Sequence, residues 1–132
     1  MIYVLDSNII SYMLKGNLAV IEHYRRQDTM NHEFIIPPIV VYEVRRGLLA
    51  KKLYKRLEAF EQLCHKIQYM DFDKTVWQEA AQIYALLRQK GILIDDADIF
   101  IAAFCMVNNY TLVTGNVRHF SHVHGLNYVN WT

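Results

Sequence analysis

The sequence predicts an α/β protein, a three-layer α/β/α sandwich around a mostly parallel central sheet. Short apolar runs alternate along the chain with longer segments in which apolar residues recur at helical spacing. Strands that alternate with helices favour parallel pairing with helices on both faces of the sheet. The first run is apolar without interruption, as in a strand that is buried on both faces.

The first half of the chain contains two predicted strands, each followed by two predicted helices. Ile2 to Leu5 is apolar throughout and stops at a carboxylate, and Phe34 to Ile36 precedes two prolines, which can begin a helix but not continue one. We expect Ser7 or Asn8 to cap the first helix and Gly16 to end it. Apolar spacing predicts these helices at residues 7–15, 18–27, 39–49 and 51–66.

The second half predicts a short strand, two long helices and two final strands. The first of these helices begins near Asp73 or Thr75, either of which would cap it, and ends at Gly91. The second is opened by acidic residues, which suit the positive end of a helix dipole. The predicted strands are 67–70, 111–113 and 128–129, and the second helix covers 98–108.

The composition predicts one domain over residues 1–132 and a cytoplasmic protein. Of the 132 residues 53% are hydrophobic, enough to build one core, and no linker or repeat divides the chain. The start lacks the basic and long apolar stretches of a signal peptide, and no apolar run reaches membrane-spanning length. Cys64 and Cys105 lie within helical apolar patterns, which favours reduced thiols.

Oxygen-bearing side chains follow two of the predicted strands or lie on neighbouring helices. Asp6 and Asn116 come after strands, Asp98 starts a helix, and Glu43 lies on the helix after the second strand. Ligands of open parallel sheets bind outside the carboxyl ends of the strands, and Mg²⁺ needs a few oxygen donors besides water. Taken singly, Asp6 and Asp98 are better explained as a helix cap and a dipole-complementing charge. Glu43 is the exception, because it lies among apolar residues and must either reach the surface or have a buried partner.

These residues carry a resemblance to a known family. Val4 to Ile10, which contains Asp6, resembles the opening motif of PIN domains, and especially of VapC-like toxins from prokaryotic toxin–antitoxin pairs. The segment 39–49, Asp98 to Ala103 and Leu112 to Phe120 resemble the second, third and fourth motifs. Gly125-Leu126 and Asn130-Trp131 complete a resemblance that covers the chain in order, which is more specific than any one motif.

The resemblance implies a ribonuclease site that holds Mg²⁺ or Mn²⁺. Asp6, Glu43 and Asp98 would be the metal ligands, and Asn116 stands where many relatives carry Asp. Ser7 stands where threonine is frequent, and Thr114 would orient a carboxylate or a water from the second shell of the metal. Asp95 and Asp96 are candidates to replace the missing charge, although solvated loop residues explain both more simply.

The resemblance also implies the activity, which is metal-assisted hydrolysis of RNA, either tRNA or mRNA. The products would carry 5′-phosphate and 3′-hydroxyl ends. The implied partners are a small VapB-like antitoxin protein, whose C-terminal segment would cover the active site, and a second copy of the chain in a homodimer. Exposed apolar positions on the early helices would support both.

A basic segment lies next to one of the candidate ligands. Residues 44–57 hold six Lys or Arg and no acid, although the net charge of the chain is only +1. A positive helical face beside Glu43 would track an RNA backbone without reading its sequence, with Arg45, Arg46 and Lys52 as the candidate substrate-binding residues. A solvated surface explains each of these side chains equally well.

Other functions remain open at this point. The same acidic site suits DNA or a small phosphoester, and Asn116 is also compatible with a non-catalytic RNA-binding module. Three histidines near the C-terminus do not match a familiar zinc spacing, so we expect structural or solvent-facing roles for His119, His122 and His124. A nucleotide-binding Rossmann-type domain is disfavoured because no glycine-rich loop follows the first strand.

Overall fold

A five-stranded parallel sheet forms the centre of the computed structural model, which describes all residues from 1 to 132. Its strands are β1 (Ile2–Leu5), β2 (Glu33–Ile36), β3 (Gln68–Tyr69), β4 (Thr111–Val113) and β5 (Tyr128–Val129). They lie in the order β3-β2-β1-β4-β5, and every neighbouring pair is parallel. The predicted parallel α/β sheet is confirmed.

Seven helices connect the strands: α1 (Ser7–Leu14), α2 (Leu18–Thr29), α3 (Pro38–Ala50), α4 (Tyr54–Lys66), α5 (Lys74–Gln89), α6 (Asp96–Asn108) and α7 (Val117–Phe120). Helices α1, α3 and α4 contact one another, α2 contacts α1, and α6 contacts both α5 and α7. The chain moves from β1 to β2 in one direction across the sheet and from β3 to β4 in the other. Right-handed crossovers therefore place the two groups of helices on opposite faces, which gives three layers.

The cap of the first helix and the start of the fourth differ from the prediction, for local reasons. The side chain of Asp6 caps α1 by accepting a hydrogen bond from the Ser7 N–H, so neither Ser7 nor Asn8 is the cap. Helix α4 begins at Tyr54 instead of Lys51, because Lys52 adopts a left-handed conformation (φ 56°) after α3. The Leu53 N–H then bonds to the Leu48 carbonyl at 2.9 Å, a hydrogen bond that closes helix C-termini.

The core leaves polar side chains buried at one place. Thirty-three residues are buried, and thirty of them form one hydrophobic cluster. The buried polar side chains are those of Asp6 and Thr114. Asp6 is 2% exposed and Thr114 is fully buried, at the ends of β1 and β4. Buried polar groups are costly unless they are paired, so this pair marks a site for closer description. None of the helices combines the length and apolarity that crossing a membrane requires.

Candidate active site

The central strands β1 and β4 define a crevice at their carboxyl ends. They are neighbours in the sheet, but the connections that leave β1 and enter β4 run to opposite sides. Such a switch point is where open α/β sheets bind ligands, because the helices on either side diverge there. Asp6 follows β1 and Thr114 follows β4, so the sheet brings together residues 108 positions apart.

Asp6 is held from three directions. Its Oδ1 accepts a hydrogen bond from the Ser7 N–H at 2.8 Å, and its Oδ2 accepts one from the Thr114 hydroxyl at 2.8 Å. The Asn8 amide lies 3.4 Å from the same Oδ2. Burial raises the pKa of Asp6, and the charge of Asp98 adds to this effect, while the Thr114 and Ser7 hydrogen bonds oppose it. A cation placed here would offset the cost of the buried negative charge.

Glu43 lies in the first half of α3 and is partly buried beside the same crevice. Burial raises the pKa of its carboxyl, and the charges of Asp6 and Asp98 raise it further, whereas Arg46 lowers it. Like charges raise one another's pKa only when they are close. Three carboxylates from β1, α3 and α6 therefore share one region, as the sequence predicted for Asp6, Glu43 and Asp98.

Asp98 is in contact with two residues from the segment after β4. Its Oδ2 lies 2.8 Å from His119 Nδ1 and 3.2 Å from Asn116 Nδ2. Asn116 Nδ2 and His119 Nδ1 are themselves 2.8 Å apart. The backbone N–H of Asn116 donates to the Thr114 hydroxyl at 2.9 Å, which ties this contact to Asp6 through one side chain.

The donors present fit a hard divalent cation that keeps part of its water shell. No three His, Cys, Asp or Glu side chains converge closely enough to hold an ion by themselves. Mg²⁺ is usually bound through one or two carboxylates, waters and substrate phosphates, so closer convergence is not required. Ser7 lines the same pocket as Glu43. Asp95 and Asp96 are exposed, which favours solvated charges over metal ligands at these two positions.

A basic pocket of about 290 Å³ adjoins Glu43. Its lining carries one carboxylate, that of Glu43, and four cationic side chains: Lys15, Arg46, Lys51 and Arg56. Of the three residues predicted to bind substrate, Arg46 lines this pocket. Arg45 instead pairs with Glu61, with Nη2 and Oε1 2.6 Å apart, and Lys52 lies outside the lining on the exposed turn before α4.

Sequence reasoning missed three contributors to this region. His119 contacts Asp98, Lys15 joins the basic pocket from the end of α1, and Asn8 accepts a hydrogen bond from the Gly115 N–H at 2.9 Å. A spacing of three residues between Asn116 and His119 is the one local signal, because such residues share a helix face. Nothing in the sequence alone indicates the other two contacts.

The chain matches a known family over most of its length. The PIN domain family matches residues 3–126. The chain is 28% identical to a protein of Rickettsia felis named Ribonuclease VapC2, over 99% of this chain and 98% of that protein. It is 33% identical to Ribonuclease VapC1 of Methanocaldococcus jannaschii, over 83% of this chain and 79% of that protein.

Solved structures give the same result at the level of the fold. VapBC2 from Rickettsia felis, bound to a DNA fragment from its promoter, contains a chain that superposes with a TM-score of 0.91 at 27% identity, and the alignment covers both chains completely. VapBC-1 from nontypeable Haemophilus influenzae gives a TM-score of 0.87 at 25% identity, over 99% of this chain and 98% of that chain.

Proposed function

The chain belongs to the PIN domain family, and on that premise we propose that it is a metal-dependent endoribonuclease toxin that hydrolyses RNA phosphodiester bonds. The observation that carries this proposal is the meeting of Asp6, Glu43 and Asp98 at the switch point of the sheet, where Asp6 and Glu43 have raised pKa values. Its relatives named Ribonuclease VapC support RNA as the substrate.

Asp6, Glu43 and Asp98 would hold Mg²⁺ or Mn²⁺, and Asn116 would supply a fourth polar group. When bound, the cation supplies an activated water and neutralises charge on the phosphate. Thr114 fixes the orientation of Asp6 through its hydroxyl, and Ser7 does so through its backbone N–H. These residues place the carboxylates before substrate arrives, so little reorganisation opposes the reaction.

The basic pocket would hold the RNA backbone next to the acidic cluster. Arg46 is the link between them, because it lines the pocket and its charge acts on Glu43. Lys15, Lys51 and Arg56 supply the other positive charges of the pocket lining. Cationic side chains position phosphates without reading bases, so the pocket supports RNA binding in a fixed register but not a particular sequence.

We also propose two protein partners. Structures of related chains are toxin–antitoxin complexes, which supports a VapB-like antitoxin as the inhibitor of this chain. Leu18, Leu49 and Tyr54, on α2, α3 and α4, are 74%, 48% and 60% exposed. Apolar side chains exposed on the early helices support coverage by the antitoxin or by a second copy in a homodimer.

The sheet takes its strands from residue 2 to residue 129, which supports the proposal that residues 1–132 form a single PIN-like nuclease domain.

The test is cleavage of labelled single-stranded and structured RNA by the antitoxin-free protein, with Mg²⁺, with Mn²⁺ and with EDTA. The variants are Asp6→Asn and Asp98→Asn, and Asp95→Asn is the matched control because that carboxylate is exposed three residues before Asp98. We expect cutting that needs metal, is lost in both site variants and persists in the control. Cutting that survives EDTA or both substitutions would overturn the proposal.

Parallel assays on single-stranded DNA and on a small phosphate ester address the substrate. Preference for either over RNA would replace the proposed substrate class. RNA binding with no cleavage under any metal condition would identify a binding module instead.

A further inference from the structure

Three polar side chains beside the carboxylates form a closed triangle. His119 Nδ1 lies 2.8 Å from Asp98 Oδ2 and 2.8 Å from Asn116 Nδ2. The third side of the triangle, from Asn116 Nδ2 to Asp98 Oδ2, is 3.2 Å. The three side chains come from the first turn of α6, the loop after β4 and α7. All three atoms are therefore in mutual contact, although Asp98 is far from the other two in sequence.

With Asn116 Nδ2 directed at the other two atoms, neither protonation state of His119 Nδ1 satisfies all three contacts when Asp98 is ionised. If Nδ1 of His119 carries a proton, it donates to Asp98 but faces the Asn116 NH₂ group, so two donors are 2.8 Å apart. If Nδ1 is unprotonated, it accepts from Asn116 but faces the Asp98 oxygen, so two acceptors are 2.8 Å apart. One edge brings like partners together in either case.

Turning the Asn116 amide leaves two arrangements, which differ in whether a proton or a cation can occupy the triangle. The two ends of an amide have nearly the same shape, and a half-turn exchanges Nδ2 for Oδ1. The oxygen would then lie at the position 3.2 Å from Asp98 Oδ2, and a protonated His119 Nδ1 would donate to both oxygens in a three-centre hydrogen bond. The turned amide combined with an unprotonated His119 directs three lone pairs into one small space, which is unfavourable unless a cation occupies it.

The dimensions of the triangle suit such a cation. An octahedral ion with ligands at about 2.1 Å has neighbouring ligands about 3.0 Å apart, because the edge of the octahedron is the bond length times the square root of two. The three observed separations lie on both sides of that value. The imidazole is 35% exposed at its side chain, which leaves room for water or a phosphate oxygen on the remaining positions.

We propose that Asp98 Oδ2, Asn116 Oδ1 and His119 Nδ1 bind one divalent cation on one face of its coordination sphere, and that the imidazole makes this site prefer Mn²⁺ to Mg²⁺. The inference rests on the proposed function, because it assigns ligands to a cation of that same nuclease site. Oxygen donors alone suit Mg²⁺, whereas an imidazole nitrogen favours a first-row transition metal. His119 therefore sets the preference of the site between Mn²⁺ and Mg²⁺. Asn116, the neighbouring ligand, carries no charge.

The test uses the full-length, metal-stripped protein and less than one equivalent of Mn²⁺, followed by pulsed electron paramagnetic resonance. We expect a ¹⁴N coupling from a directly bound imidazole in the unaltered protein and its loss in His119→Ala, with Mn²⁺ affinity reduced at least about 10-fold. His122→Ala and His124→Ala are matched controls, because both side chains are exposed on the same segment and neither contacts Asp98. Both should retain the coupling and the affinity.

A second substitution keeps the test decisive if His119→Ala does not fold. His119→Asp replaces the nitrogen donor by an oxygen donor, so it should bind Mn²⁺ without the ¹⁴N coupling and show a smaller preference for Mn²⁺ over Mg²⁺ in competition. Any one of three outcomes would overturn the proposal. They are absence of the ¹⁴N coupling in the unaltered protein, persistence of that coupling in either His119 variant, and equal affinity of the unaltered protein for Mn²⁺ and Mg²⁺.

The readout needs no RNA, so it separates this site from the proposed function. Mn²⁺ bound through His119 in a protein that cuts no RNA would support the site and contradict the ribonuclease. Metal-dependent cutting without an imidazole ligand would contradict the site alone.

Discussion

The Thr114 hydroxyl donates a hydrogen bond to Asp6 Oδ2 at 2.8 Å and accepts one from the Asn116 N–H at 2.9 Å. Both Thr114 and Asp6 are buried, at the carboxyl ends of two neighbouring strands. One hydroxyl therefore sets the position of the carboxylate after β1 and of the loop after β4. Its two hydrogen bonds connect Asp6 to the group formed by Asn116, Asp98 and His119.

Replacing Thr114 by valine should weaken metal binding while the shape of the side chain is kept. Loss of a hydrogen bond to a ligand of this kind costs about 10–100-fold in affinity, because the carboxylate is no longer oriented. Isothermal titration with Mn²⁺ measures the change. Thr114→Ser retains the hydroxyl and should bind within a few-fold of the unaltered protein, and equal affinity of the valine variant would exclude this role.

The metal-free protein should become less stable as the pH rises from about 4 towards neutral. Asp6 and Glu43 have folded-state pKa values above their ordinary values of 3.8 and 4.5. The folded state therefore retains protons that the unfolded chain has released, so stability is greatest below the unfolded pKa values and is lost as the pH passes the folded ones. Urea unfolding at a series of pH values in EDTA measures this slope.

Asp6→Asn should flatten that pH dependence and make the metal-free protein more stable near neutral pH, because the amide is never charged and its oxygen can still accept from the Ser7 N–H. Asp95→Asn, at an exposed position, should leave the slope unchanged. Added Mn²⁺ should stabilise the unaltered protein but not the Asp6→Asn variant to the same degree. A slope that is identical in all three proteins would contradict the argument.

Removing Arg46 should weaken RNA binding and reduce its dependence on salt. Each phosphate contact on a single strand contributes about 0.7 to the slope of log K against log salt, so Arg46→Ala should lower the slope by about that amount. Fluorescence anisotropy with labelled single-stranded RNA in EDTA measures binding without cleavage. Arg45→Ala is the control, because Arg45 pairs with Glu61 and lies outside the basic pocket. An equal loss of salt dependence in both variants would contradict the assignment of RNA binding to the basic pocket.

The end of α6 depends on one residue in a left-handed conformation. Asn109 has φ 56° and ψ 41°, and the chain turns there directly into β4. Asn109→Ala should lower the free energy of unfolding by about 1 kcal/mol, because a Cβ without a compensating polar group is disfavoured in this region. Asn109→Gly should be close to neutral, and chemical denaturation compares the two. A neutral alanine variant would mean that the turn relaxes.

Local sequence was sufficient to predict most of the fold. The uninterrupted apolar run before Asp6 predicted a buried parallel strand, and helical spacing predicted α1 to α6 within a few residues at each end. The start of α4 was missed because a left-handed turn at Lys52 depends on closing hydrogen bonds and not on apolar spacing. Helix α7 was missed because four residues are too few to show a period.

Sequence by itself predicted which side chains would carry the chemistry: a carboxylate after the first strand, one on α3, one at the start of α6 and an amide after β4. Only the tertiary structure decided which of them meet. Arg45 and Arg46 are adjacent in sequence, yet one pairs with Glu61 and the other lines the pocket. The sequence predicted a structural or solvent-facing role for His119, as for the two histidines after it. Its contact with Asp98 exists because α6 and the segment after β4 pack together. Spacing along the chain fixes neighbours within one helix or strand, whereas contacts across a parallel sheet depend on strand order and crossover direction, which local patterns do not encode.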